Sequence, residues 1–281
     1  MKTILLTICG LCVWSAGFAQ NVNVLVTDIR EERRLDQRSS SLELTLKVNG
    51  IPVDENRKIK IGTVIKATDN LGNELKHVVG SFDNDYTGYN EVKLKLEAPP
   101  RNAAQLNVVE ATLSYFIPTK ENKGIVEIAS VLDKYNTNLL KNQNSEAKLI
   151  LIDEERMKKM KAENEAAYNK EMEKFKKENP DAEKMSELMG GLKGFFESLF
   201  DYGSFGPVMT FLVDDPKEKI VEILVYNEKG EKMNNGWSKS DNQLSIMLSS
   251  PPQKNWKLEV LLQNNKSVKE HTIKLGQVFL P

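Results

Sequence analysis

A period of two runs through most of this chain, and it limits the folds available more than any other feature. In SLELTLKV, residues 41–48, Leu42, Leu44, Leu46 and Val48 alternate with Ser41, Glu43, Thr45 and Lys47. Only an extended strand sends successive side chains to opposite faces, so the segment predicts a strand with one buried face. NVNVLV repeats the pattern through Val22, Val24 and Val26. IKIGTVIKA (59–67), VKLKLEA (92–98), QLNVVEATLSYFI (105–117), GIVEIASVL (124–132) and AKLILI (147–152) continue the series. Residues that tolerate or impose turn geometry separate them: Asn49-Gly50, DNLGNE, FDNDYTGYN, EAPPRN and PTKENKG.

After residue 205 the same reading gives strands in VMTFLV, KIVEILVY, QLSIMLSS, WKLEVLLQ and KEHTIKL. Many short strands joined by turns predict a mainly β chain of antiparallel, β-sandwich-like domains. The expected organisation is a signal peptide over 1–19, an N-terminal β-sandwich domain over 20–152, a helical linker or hairpin over 153–204 and a C-terminal β-rich domain over 205–281.

The helical expectation rests on DEERMKKMKAENEAAYNKEMEKFKKEN, which lacks Gly and Pro and is rich in strong helix formers. Glu154/Lys158, Glu155/Lys159 and Glu173/Lys177 have the favourable i, i+4 order. Asn179-Pro180 then ends one helix and starts another. In MSELMGGLKGFFESLF, residues 185–200, Met185, Leu188, Met189, Leu192, Phe195, Phe196, Leu199 and Phe200 fall in an arc of roughly 140°. That oily face has three readings: the protein's own core, a surface for a partner protein, or a peripheral membrane contact. Methionine suits an irregular partner groove. A membrane surface would call for a cationic polar face, and this one has Lys193 against Glu187 and Glu197.

The first residues, MKTILLTICGLCVWSAGFAQ, have one cation, an apolar run and small residues before Gln20. This is the layout of a secretory signal, and it predicts an exported protein of the periplasm, cell surface or medium. Both cysteines, Cys9 and Cys12, would leave with it, taking thiol chemistry and disulfides with them. No transmembrane segment is expected to remain. The whole chain has a formal charge of −1, so it holds no cation excess to neutralise phosphates, and nucleic acid is not an expected partner. DIREERRLDQR, residues 28–38, reads as a solvated loop or helical turn.

Chemistry-bearing patterns are few. His77 and His271 are the only histidines and lie far apart; no catalytic residue, metal site or cofactor is expected. In FDNDYTGYN, Asp83, Asp85 and Gly88 resemble the start of a calcium loop, but Leu94 stands where the bidentate glutamate belongs. Tyr86 and Tyr89 beside Asp83 and Asp85 could grip a sugar ring, with Trp237 and Trp256 as further aromatics. These residues support three readings. The first is a non-catalytic binding or assembly protein of the bacterial envelope, contacting a protein or envelope component through its helical segment. The second is a carbohydrate-binding or hydrolase-accessory module using the Asp83–Tyr89 loop, and the third is a purely structural envelope protein.

Overall fold

The computed structural model describes residues 22–34, 40–78, 85–143, 145–153, 155–159, 162–163, 170, 207–240 and 242–281. The expected signal peptide, Asp83 and the apolar stretch 185–200 lie outside the described residues. Of the described residues 53% are in strands, and the sheets are antiparallel, so the chain is mainly β. The strands are β1 (Asn23–Glu32), β2 (Ser41–Asn49), β3 (Lys58–Asp69), β4 (Glu91–Glu97), β5 (Gln105–Phe116), β6 (Ile125–Ile128) and β7 (Lys148–Leu151). They continue with β8 (Val208–Asp214), β9 (Ile220–Tyr226), β10 (Asn234–Ser240), β11 (Gln243–Leu248), β12 (Lys257–Leu262), β13 (Val268–Leu275) and β14 (Val278–Phe279).

Four segments differ from the expectations or meet them only in part. Of the expected helical linker or hairpin over 153–204, the described residues 155–159, 162–163 and 170 are helical and most of the rest lies outside the described residues, so a hairpin is not supported. Asp153 caps the start of the helical residues, accepting a hydrogen bond from Arg156 N at 2.8 Å. Second, GIVEIASVL is not one strand. β6 stops at Ile128 because Ser130 takes a left-handed φ of 49°, and a 3-10 turn follows over Val131–Lys134. Third, residues 28–32 are strand, not loop or helical turn, since β1 pairs with β2 through Glu32↔Ser41. A β-bulge at Thr27, between the pairs Val26↔Leu46 and Asp28↔Thr45, shifts the phase of the alternation. Val24 and Val26 face inward before it, Ile29 and Glu31 after it, which breaks the period that sequence reading follows. Finally, β10 carries no alternation in NNGWSKS and is held by pairing with β11.

In its contacts the chain divides into two units, 1–114 with 270–281, and 115–269. These limits differ from the expected ones. The second unit interrupts the first in sequence, and a turn-by-turn reading does not register such nesting. The two ends of the interruption are adjacent, with Ile117 N donating to Ser267 O at 2.7 Å.

The first unit has a sheet of order β1-β2-β4 and a second built around β5, which pairs with β3, β13 and β14. Val278 pairs with Leu106, Lys274 bridges Glu110 at 3.1 Å and Glu270 accepts from Ser114 at 2.8 Å. All three share one antiparallel register, so β13 and β14 form a single interrupted strand along one side of β5. Leu42, Leu44, Leu46, Leu94 and Leu96 from the first sheet and Ile59, Leu106 and Leu113 from the second are all 0% exposed. At one edge a bridge ties the second sheet to the approach of β4: Ile59 N donates to Thr87 O, and Thr87 N to Ile59 O, both at 2.9 Å.

The second unit holds the sheets β10-β11-β8-β7 and β6-β12-β9. Both sheets contribute to one hydrophobic cluster, which includes Phe211, Leu149, Val225, Leu258 and Trp256. The Asn234 side chain joins them: its Oδ1 accepts from Val225 N at 2.7 Å and its Nδ2 donates to Ile223 O at 2.8 Å. A primary amide thereby occupies the place of a strand's own peptide group.

Candidate functional site: an open strand edge

In the described part of the loop singled out by sequence, residues 85–90, anchored residues are flanked by exposed ones. Tyr86 is half-buried, with Lys60 Nζ 4.7 Å from its ring centroid, and its hydroxyl bonds with Ser114. Ser114 donates onward to Glu270 Oε1 at 2.8 Å. Burial first, and the Glu270 carboxylate second, push the Tyr86 phenol well above the ordinary tyrosine range. Gly88 is required by close approach, since a Cβ there would lie 2.9 Å from Asp54 O. These contacts make Tyr86 and Gly88 part of the loop's anchorage. Tyr89 points the other way and is 80% exposed, and Asp85 is exposed as well. The two tyrosines therefore do not form one aromatic face. The tryptophans separate likewise: Trp256 is 2% exposed within the core and Trp237 is 57% exposed on β10. His77 bridges Leu96, and His271 lies on β13. Among the described residues no group of three or more His, Cys, Asp or Glu could hold a metal, and no helix is long and apolar enough to cross a membrane.

A different feature has the shape of a site. An open groove of about 560 Å³ runs between residues 24–29 of β1 and residues 274–279 of the β13–β14 segment, all within the first unit. Consecutive residues line both walls: Val24 through Ile29 on one side, Lys274 through Phe279 on the other. A sheet face would contribute alternate residues, so the walls are strand edges. Among the described residues β1 is hydrogen-bonded to β2 alone, and β14 to β5 alone. Each wall therefore turns the unpaired side of a strand backbone toward the groove.

The side chains grade from inside to outside. Val24 and Val26 pair with Val48 and Leu46 on the inward face, but are only half-buried where Val48 and Leu46 are 1% and 0% exposed. The core thins at this edge. Leu275 and Val278 close it from the opposite wall. On the outer rims stand Leu25, 52% exposed, and Phe279, 69% exposed. Fully covering a side chain of that kind is worth ~1.5–3 kcal/mol. Asn23 through Thr27 and Leu275 through Phe279 carry no charge, whereas Asp28, Arg30, Glu31 and Glu32 crowd the second half of β1. Natural edge strands are guarded by charge, proline or bulge; here the Thr27 bulge and the charges protect one half and leave the other plain.

Sequence reasoning identified the strand and missed the site. The uncharged run NVLVT was its one signal, and nothing in that run says that the strand lies at an edge. Met185, Leu188, Met189, Leu192, Phe195, Phe196 and Leu199, the expected partner surface, lie outside the described residues. Comparison with protein-family models, with curated proteins and with solved structures finds no match for this chain.

Proposed function

We propose that this protein is an exported, non-catalytic binding module that contacts another protein or a component of the cell envelope. The observation that carries this reading is the groove between β1 and the β13–β14 segment, with its uncharged walls and exposed rims at Leu25 and Phe279. Apolar residues exposed on both sides of one concave feature suit recognition of a second chain better than they suit an isolated soluble surface. The secretory layout of residues 1–19 supports export, and the lack of a nucleophile-and-base pattern in the sequence supports a non-enzymatic role. We further propose that both units are β-sandwiches, on the ground that each draws its buried residues from two sheets.

The test is selection of displayed heptapeptides on the wild-type protein, with the Leu25→Lys/Phe279→Lys variant as counter-target. Peptides that bind the first and not the second are expected. A pool that binds both equally would remove the groove from the reading.

One observation favours a carbohydrate contact as a second reading: Tyr89 and Asp85 are both exposed on the same loop. It predicts a glycan-array signal that Tyr89→Ala abolishes, and an array without signal contradicts it.

A further inference from the structure

We infer that the groove accepts an extended polypeptide segment as an added β-strand, bonded through its backbone to β1 on one side and to the β13–β14 segment on the other. This rests on the reading of the groove as a protein-binding site and specifies how it binds. Three observations lead there. Both walls are strand edges, since consecutive residues line them. Among the described residues each edge strand is bonded on its other side only, to β2 or to β5. The opposite edge of the same unit is already bridged through Ile59 and Thr87, whereas among the described residues no pairing joins β1 to the β13–β14 segment across the groove. One strand placed in it would give both rows of unpaired backbone groups a partner, as strand addition does wherever a sheet edge is open.

The walls also define the occupant. Its inward side chains meet Val24, Val26, Leu275 and Val278, where the core is thin, and are apolar at every second position. One outward side chain sits between Leu25 and Phe279 and is apolar too. Because Asn23–Thr27 and Leu275–Phe279 are uncharged, a charge at the centre of the segment would be desolvated without a partner, so the central residues are uncharged. Asp28 and Lys274 stand one on each wall, and Lys274 is already engaged by Glu110. The groove thus selects for apolar alternation and against net charge.

The probe is a fluorescent pool of capped heptapeptides carrying Val, Ile, Leu or Phe at positions 1, 3, 5 and 7 and at the outward position 4, with Thr at positions 2 and 6, titrated against the full mature chain. Two further pools carry N-methyl groups, one on the odd residues and one on the even. N-methylation removes donors toward one wall at a time and leaves the side chains in place. Strand addition to both edges predicts about tenfold or weaker binding for each methylated pool. It predicts the same loss for the parent pool against Leu25→Lys and against Phe279→Lys, two exposed positions at which the fold is not at risk. If only one methylated pool loses affinity, pairing is to a single edge and the two-sided mode is overturned. If neither loses affinity while the lysine variants do, the groove binds protein through side chains, and strand addition fails while the functional reading stands. If the parent pool binds wild type and both variants alike, or binds none of them, the functional reading fails with it. A concentration-dependent dimer in sedimentation, abolished by Leu25→Lys, would assign the edge to a second copy of this chain instead.

Discussion

Asp69 shows how a single residue fixes a turn. Its side chain is fully buried, and its carboxylate accepts hydrogen bonds from Leu71 N and Asn73 N at 2.9 Å and from Asn73 Nδ2 at 2.8 Å. Burial alone would raise its pKa; the hydrogen bonds outweigh burial and hold it below the usual aspartate value. A depressed folded pKa means that the contribution is present above the unfolded value of ~3.9 and is lost as pH falls through the folded one. Asp69→Ala is expected to lower stability by ~1–3 kcal/mol in urea at neutral pH and to weaken the acid limb of the stability profile. Tyr86 is the mirror case. Its raised pKa means stability that is complete below ~10 and lost as pH climbs beyond it. In Tyr86→Phe the slowest-titrating tyrosinate absorbance should vanish and the alkaline loss of stability should be smaller. Unchanged titration would mean that Ser114 and Glu270 do not hold the phenol as the geometry describes.

Among elements, β1 and β2 mark what the sequence makes legible. The alternation of Leu42, Leu44, Leu46 and Val48 predicts β2 to the residue where it matters, because both of its edges are paired and its inner face is buried. β1 was legible as far as Val26. The bulge at Thr27 then reverses the phase, and charged residues that belong to an exposed edge read as loop. β10 and β14 were not legible, since a polar strand and a two-residue strand owe their form to their partners, β11 and β5. Tyr86 and Tyr89 looked equivalent in FDNDYTGYN and point to opposite environments, a difference set by Ser114 and Glu270, distant in sequence. Deleting Thr27 would restore one unbroken alternation along β1 and straighten its free edge. The deletion variant is expected to self-associate more strongly than wild type in sedimentation at equal concentration. Equal behaviour would show that the bulge does not guard the edge.

At the scale of the whole molecule, the nesting of one unit inside the other gives the most direct prediction. Ile117 and Ser267 are hydrogen-bonded where the chain leaves and rejoins the first unit. Replacing residues 118–266 by an Asn-Gly turn converts β5 and β13 into a plain hairpin and leaves every other strand of that unit in place. Such a chain is expected to unfold cooperatively and to keep its groove. The nested order could not be read from local periodicity, because every strand in it obeys the same rule of two whichever unit it belongs to. The site was hidden for the same reason: an edge is defined by the strand that is absent beside it, and composition says nothing of neighbours.

The central claim is that the backbone edges of β1 and the β13–β14 segment are joined by an added strand. Amide hydrogen exchange, with and without the heptapeptide pool, reads those edges directly. Slowed exchange in both Asn23–Ile29 and Lys274–Phe279 on addition of the pool is the predicted result, while the Tyr86–Asn90 loop stays unchanged. Exchange that slows at neither segment, or at the loop instead, would contradict it.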